Sequence, residues 1–265
     1  MADRIRVGVV GAGGKMGSTV CQAVADDPGL ELVAAVDPHH AGLDLRAVCH
    51  VDGVDVTIAG SVEELARTHA QVAVDFTRID AARETLRFLA DNGIHAVVGT
   101  SGFTDPDLAD LRGCFTTSNC VVVPNFAIGA VLMMRFAEIA APFFETAEVI
   151  ELHHDQKIDA PSGTAMSTVA RMAAASDQWA ADPTTTETVP GARGARGPAG
   201  ITVHSVRLRG MVAHQEVLLG TTGQTLTIRH DSYDRTSFMP GVLLAVKRIG
   251  DHPGVTVGLD DLLGL

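Results

Sequence analysis

The sequence is poor in aromatic residues, in cysteine and in positive charge. Aromatic side chains make up 4% of its 265 residues, and the chain has one tryptophan, one tyrosine and four cysteines. Its 20 lysines and arginines stand against 32 acidic residues, which gives a formal net charge of −12 at pH 7. Because nucleic acids and anionic membranes bind basic surfaces, we expect neither as a partner.

Long apolar runs are also missing. No stretch reaches the ~20 consecutive apolar residues that a membrane span needs. The short apolar run at residues 7–10 leads directly into glycines, so we expect no signal peptide. The cysteines, which are Cys21, Cys49, Cys114 and Cys120, have neither metal-type nor CxxC spacing. We therefore expect reduced thiols, no bound metal and a cytoplasmic protein.

The first 37 residues have the pattern of a strand, a glycine-rich turn, a helix and a second strand. An apolar strand at residues 5–10 leads into Gly11, Ala12, Gly13, Gly14, Lys15, Met16 and Gly17. The second strand, at residues 32–36, ends on Asp37. In such a unit the glycines let the backbone approach a pyrophosphate at the helix N-terminus, and an acidic residue about 20 positions further on binds a ribose hydroxyl. A glycine triplet alone is often only a tight turn, but this context predicts dinucleotide binding.

Further strands of this region end in residues that suit a nicotinamide pocket. Predicted strands and helices continue to alternate, with a capping box at Ser61 and Glu64 before one helix. Strand ends fall at Asp75-Phe76-Thr77, at Gly99, Thr100 and Ser101, and at Val123, Pro124, Asn125 and Phe126. Ligands of open parallel sheets bind at the carboxyl ends of the strands. Ordinary loops would explain the glycines but not Asn125 and Phe126, so we expect nicotinamide contacts here.

The stretch at residues 148–165 combines a strand, two histidines, a lysine and a helix start. It begins as an apolar strand and turns polar at His153 and His154, with Lys157 following. Ser162-Gly163-Thr164 then begin a helix, because apolar residues recur after them at helical spacing. A His-His pair alone is more often part of a solvated loop. A helix N-terminus binds anions, and lysine and histidine beside it predict an anionic substrate that also receives a proton.

The remaining patterns predict a second region of mixed structure and a final helix. With 46% hydrophobic residues, the chain can form one large domain or two modest ones. A long apolar helix is expected at residues 127–144, a loop rich in Pro, Gly and Thr at 183–200, alternating antiparallel strands at 206–209 and 225–229, and a last helix at 242–249 that packs on the first domain. Within the loop, we expect Arg193 and Arg196 to be solvated.

These patterns resemble the dihydrodipicolinate reductase family, whose members are also called 4-hydroxy-tetrahydrodipicolinate reductases and act in bacterial lysine and diaminopimelate biosynthesis. The resemblance covers essentially the whole chain. It rests on the glycine turn, the strand ends given above, the segment at 124–129, the central block and residues 235–238. The pattern HHxxKxDxPSGTA in the central block is highly specific for this family.

The resemblance implies an α/β fold in two domains and a reaction. It implies a Rossmann-type parallel-sheet nucleotide domain at residues 1–126 and 236–265. It also implies an α+β substrate-binding and oligomerisation domain with a mostly antiparallel sheet at residues 127–235, and assembly as a homotetramer. The implied reaction is the NAD(P)H-dependent reduction of 4-hydroxy-tetrahydrodipicolinate, a small dicarboxylate, to tetrahydrodipicolinate.

The resemblance also implies residue roles. His153 matches the catalytic acid/base and Lys157 matches a second proton donor. The residues implied to hold the substrate are His154, Ser162, Gly163 and Thr164. The residues implied to bind the cofactor are Gly11, Ala12, Gly13, Gly14, Lys15, Met16, Asp37, Gly99, Thr100, Ser101, Val123, Pro124, Asn125 and Phe126.

Three positions depart from the family pattern. Pro38 stands where many members have an arginine for the NADP phosphate, Ser101 where threonine is usual, and Val123 where a small residue is common. The missing arginine and the charge of Asp37 favour NADH. Lys15 and His39-His40 favour a 2′-phosphate instead, the histidines more strongly when protonated. We expect both NADH and NADPH to be used, with NADH at least as good.

Two other functions stay open from the residues alone. A different nicotinamide-dependent enzyme, such as an amino-acid or sugar dehydrogenase, would share the first 126 residues in outline but would not need the central block. A nucleotide-sensing protein would bind the cofactor without turnover and would leave His153 and Lys157 unexplained. Loss of NADH absorbance on addition of a dihydrodipicolinate synthase product mixture distinguishes these functions.

Overall fold

The computed structural model describes residues 4–265, which divide into two compact units. The first unit contains the residues up to Phe126 together with Phe238–Leu265, and the second is Ala127–Ser237. In chain order the elements are β1 (Ile5–Val10), α1 (Lys15–Asp26), β2 (Leu30–Val36), α2 (Leu45–Cys49), α3 (Glu63–Arg67), β3 (Val72–Asp75), α4 (Ile79–Asp91), β4 (His95–Val98), α5 (Asp105–Cys114), β5 (Cys120–Val122), α6 (Ile128–Ala140), β6 (Thr146–His153), α7 (Gly163–Ala175), β7 (Ala195–Arg196), β8 (Thr202–Arg207), β9 (Ala213–Thr221), β10 (Gln224–Ser232), α8 (Met239–Arg248), β11 (Val255–Val257) and α9 (Asp260–Leu263).

The first unit is built on a six-stranded parallel sheet. Its strand order is β11-β5-β4-β3-β1-β2, and every neighbouring pair is parallel. The strands are short and largely apolar, as in Val72–Asp75, where all four residues are buried and only the last is polar. Strands of this kind are covered on both faces by helices, as in doubly wound α/β folds. The Rossmann-type parallel sheet predicted from the sequence is therefore confirmed.

The end of the chain belongs to this same sheet. Strand β11 pairs in parallel with β5 and forms the sixth strand. The side chain of Asn119 holds the segment between α8 and β11 in place. Its NH2 group donates to Ile249 O at 2.8 Å, and its oxygen accepts from Gly254 N–H at 3.2 Å. On α8, Lys247 Nζ lies 2.6 Å from Asp27 Oδ2 at the end of α1. The sequence patterns predicted the helix but not the strand that follows it.

The second unit contains a five-stranded sheet in the order β10-β9-β6-β8-β7. Its neighbouring strands are antiparallel except for the parallel pair β6 and β8. Helices α6 and α7 contact each other, and they contact β10 and β6 respectively. Buried Val149, Val169, Met172, Val217 and Leu219 form much of the core. The predicted mostly antiparallel sheet is confirmed, with one parallel pair added.

Two local predictions were wrong. Helix α3 begins after Val62, and within residues 4–265 no side chain caps it, so Ser61 and Glu64 form no capping box. The capping box of this unit lies instead at Thr104 and Asp107, before α5. In the long loop, Arg193 is not simply solvated, because its guanidinium pairs with Glu148 at 2.5 Å and with Asp182 at 3.1 Å. Arg196 is exposed, as expected, although its guanidinium also pairs with Asp182.

Within the described residues, no helix has both the length and the apolar character needed to cross a membrane.

Candidate active site

Strand β6 carries the central residues of the second unit. Because side chains alternate along a strand, Val149, Glu151 and His153 project from the same face. Val149 and Glu151 are fully buried there, and His153 is partly buried at the strand end. A buried carboxylate is costly unless it is paired and hydrogen-bonded.

The carboxylate of Glu151 is surrounded by donors from three segments. Arg207 on β8 donates to both oxygens at 2.9 Å, because the parallel register brings it beside His153. His153 Nδ1 lies 2.5 Å from Oε2, and the backbone N–H of Ser162 donates to Oε1 at 3.2 Å. Burial acts to raise the pKa of Glu151, but hydrogen bonds from Arg207, Ser205 and His153 outweigh it and hold that pKa below its ordinary value. Glu151 is therefore ionised at neutral pH.

This contact defines the state of His153. With Nδ1 facing an ionised carboxylate, that nitrogen carries a proton, and Nε2 is left to meet a ligand. Burial lowers the pKa of His153, the hydrogen bond and charge of Glu151 oppose that effect, and the charges of Lys157 and Arg207 lower the pKa further. The net direction is downward, so the protonated ring is a stronger acid than a free histidine.

The loop after β6 holds the predicted lysine. Lys157 Nζ lies 2.7 Å and 2.8 Å from the two carboxylate oxygens of Asp159. The backbone of the loop is tied to the same arginine that binds Glu151, since Arg207 donates to Asp159 O at 2.6 Å. Lys157 N–H donates to His154 O at 3.2 Å and closes a turn. The side chain of His154 is exposed.

Helix α7 begins at the predicted Ser162-Gly163-Thr164 segment. The hydroxyl oxygen of Ser162 accepts from Ala165 N–H at 3.2 Å, so Ser162 is a true N-cap. Ser162 is buried, whereas Gly163 is exposed at the first helical position. Backbone N–H groups at such a helix start attract anions. The helix start is fixed to the proton-carrying histidine through Glu151, which bonds both His153 and Ser162 N–H.

In the first unit, the turn between β1 and α1 has the geometry of a dinucleotide cradle. Gly11 has φ +79°, in the region that favours glycine. A Cβ on Gly17 would lie 2.0 Å from Gly11 O, so α1 packs directly against the turn. Within residues 4–265 no side chain caps α1 at Gly14, and Lys15 is exposed at its start. These features fit a pyrophosphate at the helix N-terminus.

Asp37 closes this cradle. Its Oδ2 accepts from Gly13 N–H and its Oδ1 from His39 N–H, each at 2.9 Å. His40 Nδ1 lies 3.2 Å from Oδ1. Burial acts to raise the pKa of Asp37, but the contacts with His40, His39 and Gly13 outweigh it and lower that pKa. Because a carboxylate has about four lone-pair sites, acceptor capacity is left for ribose hydroxyls.

The predicted strand ends lie at the carboxyl edge of the parallel sheet. Thr100 Oγ1 donates to buried Asp75 at 2.7 Å, and the Thr77 hydroxyl donates to the same oxygen at 2.8 Å. Burial raises the pKa of Asp75 in spite of these bonds. The rings of Phe76 and Phe126 lie 5.6 Å apart, which connects two of the strand ends.

The other predicted residues differ in exposure. Ser101 and Pro124 are exposed and Asn125 is partly buried, so these three can meet a ligand. Val123 is buried, and its N–H donates to Val98 O at 2.8 Å as a continuation of the strand pairing.

Glu151 and Arg207 are the two site residues that sequence reasoning missed. A signal for Glu151 was present, since it occupies the apolar face of β6 two positions from Val149 and from His153. Arg207 gave no local signal, because its partner Glu151 lies 56 residues away in the sequence and the two meet only through the register of β6 and β8.

Among the described residues, no group of three or more His, Cys, Asp or Glu side chains is arranged to hold a metal ion, and all four cysteines are free.

Comparison with known families covers both units. The family model described as dihydrodipicolinate reductase, N-terminus, matches residues 5–126, and the one described as dihydrodipicolinate reductase, C-terminus, matches residues 129–263.

The chain belongs to the dihydrodipicolinate reductase family.

Individual relatives agree with this membership. The 4-hydroxy-tetrahydrodipicolinate reductase of Mycobacterium marinum is 51% identical over 265 residues, covering 98% of this chain and 100% of the relative. That of Nocardia farcinica is 52% identical and covers 98% and 99%. A dipicolinate-bound dihydrodipicolinate reductase from Paenisporosarcina sp. TG-14 matches with a TM-score of 0.86 at 40% identity, covering 97% and 99% of the two chains. The resemblance inferred from the sequence is confirmed.

Membership in the family identifies the chain as an oxidoreductase with a small-molecule substrate, and its Rossmann-type fold implies a nicotinamide cofactor. An amine dehydrogenase from Mycobacterium smegmatis, with a TM-score of 0.62 at 15% identity, shares the fold alone.

Proposed function

We propose that the protein catalyses the NAD(P)H-dependent reduction of 4-hydroxy-tetrahydrodipicolinate to tetrahydrodipicolinate in lysine and diaminopimelate biosynthesis. The relatives described above carry this activity in their names, and one solved relative binds dipicolinate, a planar dicarboxylate. The observation that carries the proposal is the 2.5 Å contact between His153 Nδ1 and buried Glu151, beside Lys157 and the start of α7. It supplies a proton donor next to an anion site, as this reduction requires.

We assign the two ligands to different units. The first unit binds the nucleotide through residues 11–16, Asp37 and the strand ends, and the second unit binds the substrate. We also assign oligomerisation to the second unit. The close packing of Gly17 on Gly11 and the acceptor Asp37 support the nucleotide assignment. The lysine and the helix start in one short segment support the substrate assignment.

Water is lost first: the 4-hydroxyl leaves together with a proton from the neighbouring ring carbon, and a ring C=C bond forms. Reduction of the resulting ring then needs a hydride and a proton. The reduced nicotinamide supplies the hydride when it is bound. The residues of this chain supply the proton, because hydride addition to a C=C or C=N group conjugated with a carboxylate leaves negative charge on the ring. His153 donates a proton from Nε2. Its other proton stays on Nδ1, which continues to donate a hydrogen bond to Glu151. Lys157 stabilises the developing charge and acts as a second donor.

The substrate has two carboxylates, and the second unit offers two kinds of anion contact. The N–H of Gly163 and the hydroxyl of Thr164 lie in the first turn of α7, where the helix dipole favours an anion. Lys157 and His154 provide cationic or donor groups on the preceding loop. Ser162 contributes by fixing the helix start through its cap.

The activity is tested by a coupled assay with dihydrodipicolinate synthase product and with NADH and NADPH in turn. His153→Ala and Lys157→Ala should each reduce turnover by about 10²–10⁴-fold while nucleotide binding is retained. His204→Ala is a matched control, since His204 also lies beside a glutamate on the same sheet. Near-normal turnover in both site variants would reject the catalytic assignment. Absence of turnover with both cofactors would reject the function.

We propose that both nicotinamide cofactors are used, with NADH at least as good as NADPH. The negative charge of Asp37 disfavours a 2′-phosphate. Pro38 offers no cation at the next position. His39 is exposed and His40 is partly exposed near the carboxylate, so either ring can reach a 2′-phosphate, which supports use of NADPH as well.

We further propose a cytoplasmic homotetramer that covers an exposed apolar patch of the second unit. The patch consists of Phe136, Ile139, Phe143 and Leu226, which are 50%, 53%, 75% and 38% exposed. Phe136, Ile139 and Phe143 lie on or just after α6, and Leu226 is on β10. Apolar side chains clustered in this way are typical of subunit interfaces.

Sedimentation at micromolar concentration should give four times the 27.7 kDa chain mass. Phe143→Ser together with Phe136→Ser should shift the protein to smaller species. Leu43→Ser, at a 49% exposed apolar side chain of the first unit, should not. A monomeric wild-type protein would reject the tetramer.

A further inference from the structure

The face of β6 that carries His153 also carries a carboxylate that cannot contact solvent. Glu151 has no exposed surface, whereas His153 is partly exposed. An ionised carboxylate kept inside a protein must have full partners, and Glu151 obtains them from β8 and from the start of α7. This arrangement fixes its oxygens in space before any ligand arrives.

We propose that Glu151 is a positioning residue for the reaction, holding His153 in the tautomer and charge state needed to donate a proton from Nε2. The proposal rests on the proposed function, because it concerns the proton donor of that reaction. Glu151 does not touch the substrate. It acts through Nδ1 of His153, which lies 2.5 Å from Oε2. When Nε2 gives its proton to the substrate, the ring becomes neutral with Nδ1–H still donated to Glu151, and solvent later returns a proton to Nε2.

The charges around His153 show why such a partner is required. Burial and two cations, Lys157 from the following loop and Arg207 from β8, all disfavour the protonated ring. The carboxylate of Glu151 opposes all three. Without this carboxylate, the ring would be neutral over more of the physiological pH range, and a smaller fraction of the molecules would carry a proton on Nε2 to donate.

Arg207 keeps Glu151 in the required state. Its two terminal nitrogens each lie 2.9 Å from a different oxygen of Glu151, which is the fork geometry of a bidentate pair. The same guanidinium donates to Asp159 O at 2.6 Å. Glu151 also accepts from Ser162 N–H. His153 and the start of α7 are therefore hydrogen-bonded directly to Glu151, and the loop that holds Lys157 is connected to it through Arg207.

The chain contains a matched control for this cluster. Three residues earlier on β6, Glu148 also lies between an arginine and a histidine, with Arg193 at 2.5 Å and His204 at 2.7 Å. Glu148 belongs to the opposite end of the strand from His153 and has no part in the proposed reaction. Glu148→Gln removes the same chemical group from a similar cluster.

The test measures the titration of His153 and the pH dependence of the rate in the same variants. In full-length protein with carbon-13-labelled histidine, assigned with His153→Gln, Glu151→Gln should lower the pKa of His153 by about one to three pH units. The falling limb of kcat/KM at high pH should move to lower pH by the same amount, with activity recovering as the pH is lowered. Glu151→Asp should restore part of both shifts, and Glu148→Gln should change neither.

A second variant is needed in case Glu151→Gln misfolds, because that substitution leaves the partly buried Arg207 without its charged partner. Glu151→Gln combined with Arg207→Gln removes both charges, and His153 should still titrate below its wild-type value. Unchanged titration of His153 in the folded variants would overturn the role of Glu151. A shifted titration with an unshifted rate profile would instead reject His153 as the proton donor, and would overturn the proposed function at that residue.

Discussion

Lys157 and Asp159 form a close ion pair inside the candidate substrate site. The ammonium nitrogen lies 2.7 Å and 2.8 Å from the two carboxylate oxygens. The lysine side chain is 21% exposed and the aspartate side chain is 57% exposed. A substrate carboxylate that binds Lys157 therefore has to share this ammonium with Asp159 or displace the aspartate. An exposed partner is easily displaced, because solvent screens the pair.

We expect Asp159→Asn to have a small effect. Solvent screens an exposed ion pair, so the substrate KM should change by less than about fivefold. The backbone carbonyl of Asp159, which accepts from Arg207, is not altered by this substitution. Steady-state kinetics of Asp159→Asn beside Lys157→Ala provide the measurement. A loss of turnover in Asp159→Asn that matches the loss in Lys157→Ala would mean that the aspartate positions the lysine.

The turn between β1 and α1 should not tolerate a methyl group at Gly17. Its Cβ would lie 2.0 Å from Gly11 O, so Gly17→Ala should destabilise the fold by about 1–3 kcal/mol. It should also weaken NADH binding by at least about tenfold, since the amides at the helix start would move.

A second glycine provides the control for this substitution. Gly113 is in helix α5, and a Cβ there would meet no atom within 4 Å. Gly113→Ala should stabilise the protein by about 0.5–1 kcal/mol and leave NADH binding unchanged. Urea unfolding and NADH fluorescence titration measure both effects. Equal NADH affinity in the two variants would contradict the cradle at residues 11–17.

The stability of the first unit should fall as the pH drops, because of His95. Its Nδ1 accepts the N–H of Asn119 at 2.9 Å, and burial lowers the pKa of the ring. A histidine with a lowered folded-state pKa binds fewer protons when folded than when unfolded. Stability is therefore lost as the pH falls below the ordinary value of about 6.5, and the loss ends below the folded-state pKa.

His95→Gln should separate this effect from other groups. Glutamine keeps an acceptor for Asn119 N–H but does not titrate. Between pH 7.5 and 5.5, the free energy of unfolding of the His95→Gln variant should depend less on pH than that of the wild type. The two slopes should differ by at most about 1.4 kcal/mol per pH unit. Parallel slopes in urea unfolding would show that His95 does not contribute.

The cofactor ratio should depend on Asp37. We expect catalytic efficiency with NADH to equal or exceed that with NADPH at pH 7.5. Asp37→Ala should move the ratio toward NADPH, although release of Gly13 N–H should weaken both cofactors. A tenfold preference of the wild type for NADPH at pH 7.5 would reject this prediction. An unchanged ratio in Asp37→Ala would mean that Asp37 is not the ribose ligand.

The sequence by itself determined the features that depend on neighbouring residues. Local patterns predict the glycine turn, the helix after it and the strand ending on Asp37. These patterns are the spacing of apolar residues and the residue types that favour turns. The start of α7 at Ser162 also follows, because a helix cap acts within a few residues. These local signals were enough to identify the parallel sheet and the family.

Only the tertiary structure decided which distant groups meet. The pairing of Glu151 with Arg207 requires the parallel register between β6 and β8, and the sixth strand β11 requires the end of the chain to return to β5. The donor to Asp37 Oδ2 likewise comes from the distant turn after β1, through Gly13 N–H. Such contacts depend on the register between strands and on where the last strand joins the sheet. Burial across the whole sheet sets both, so neighbouring residues in the sequence carry no pattern that predicts them.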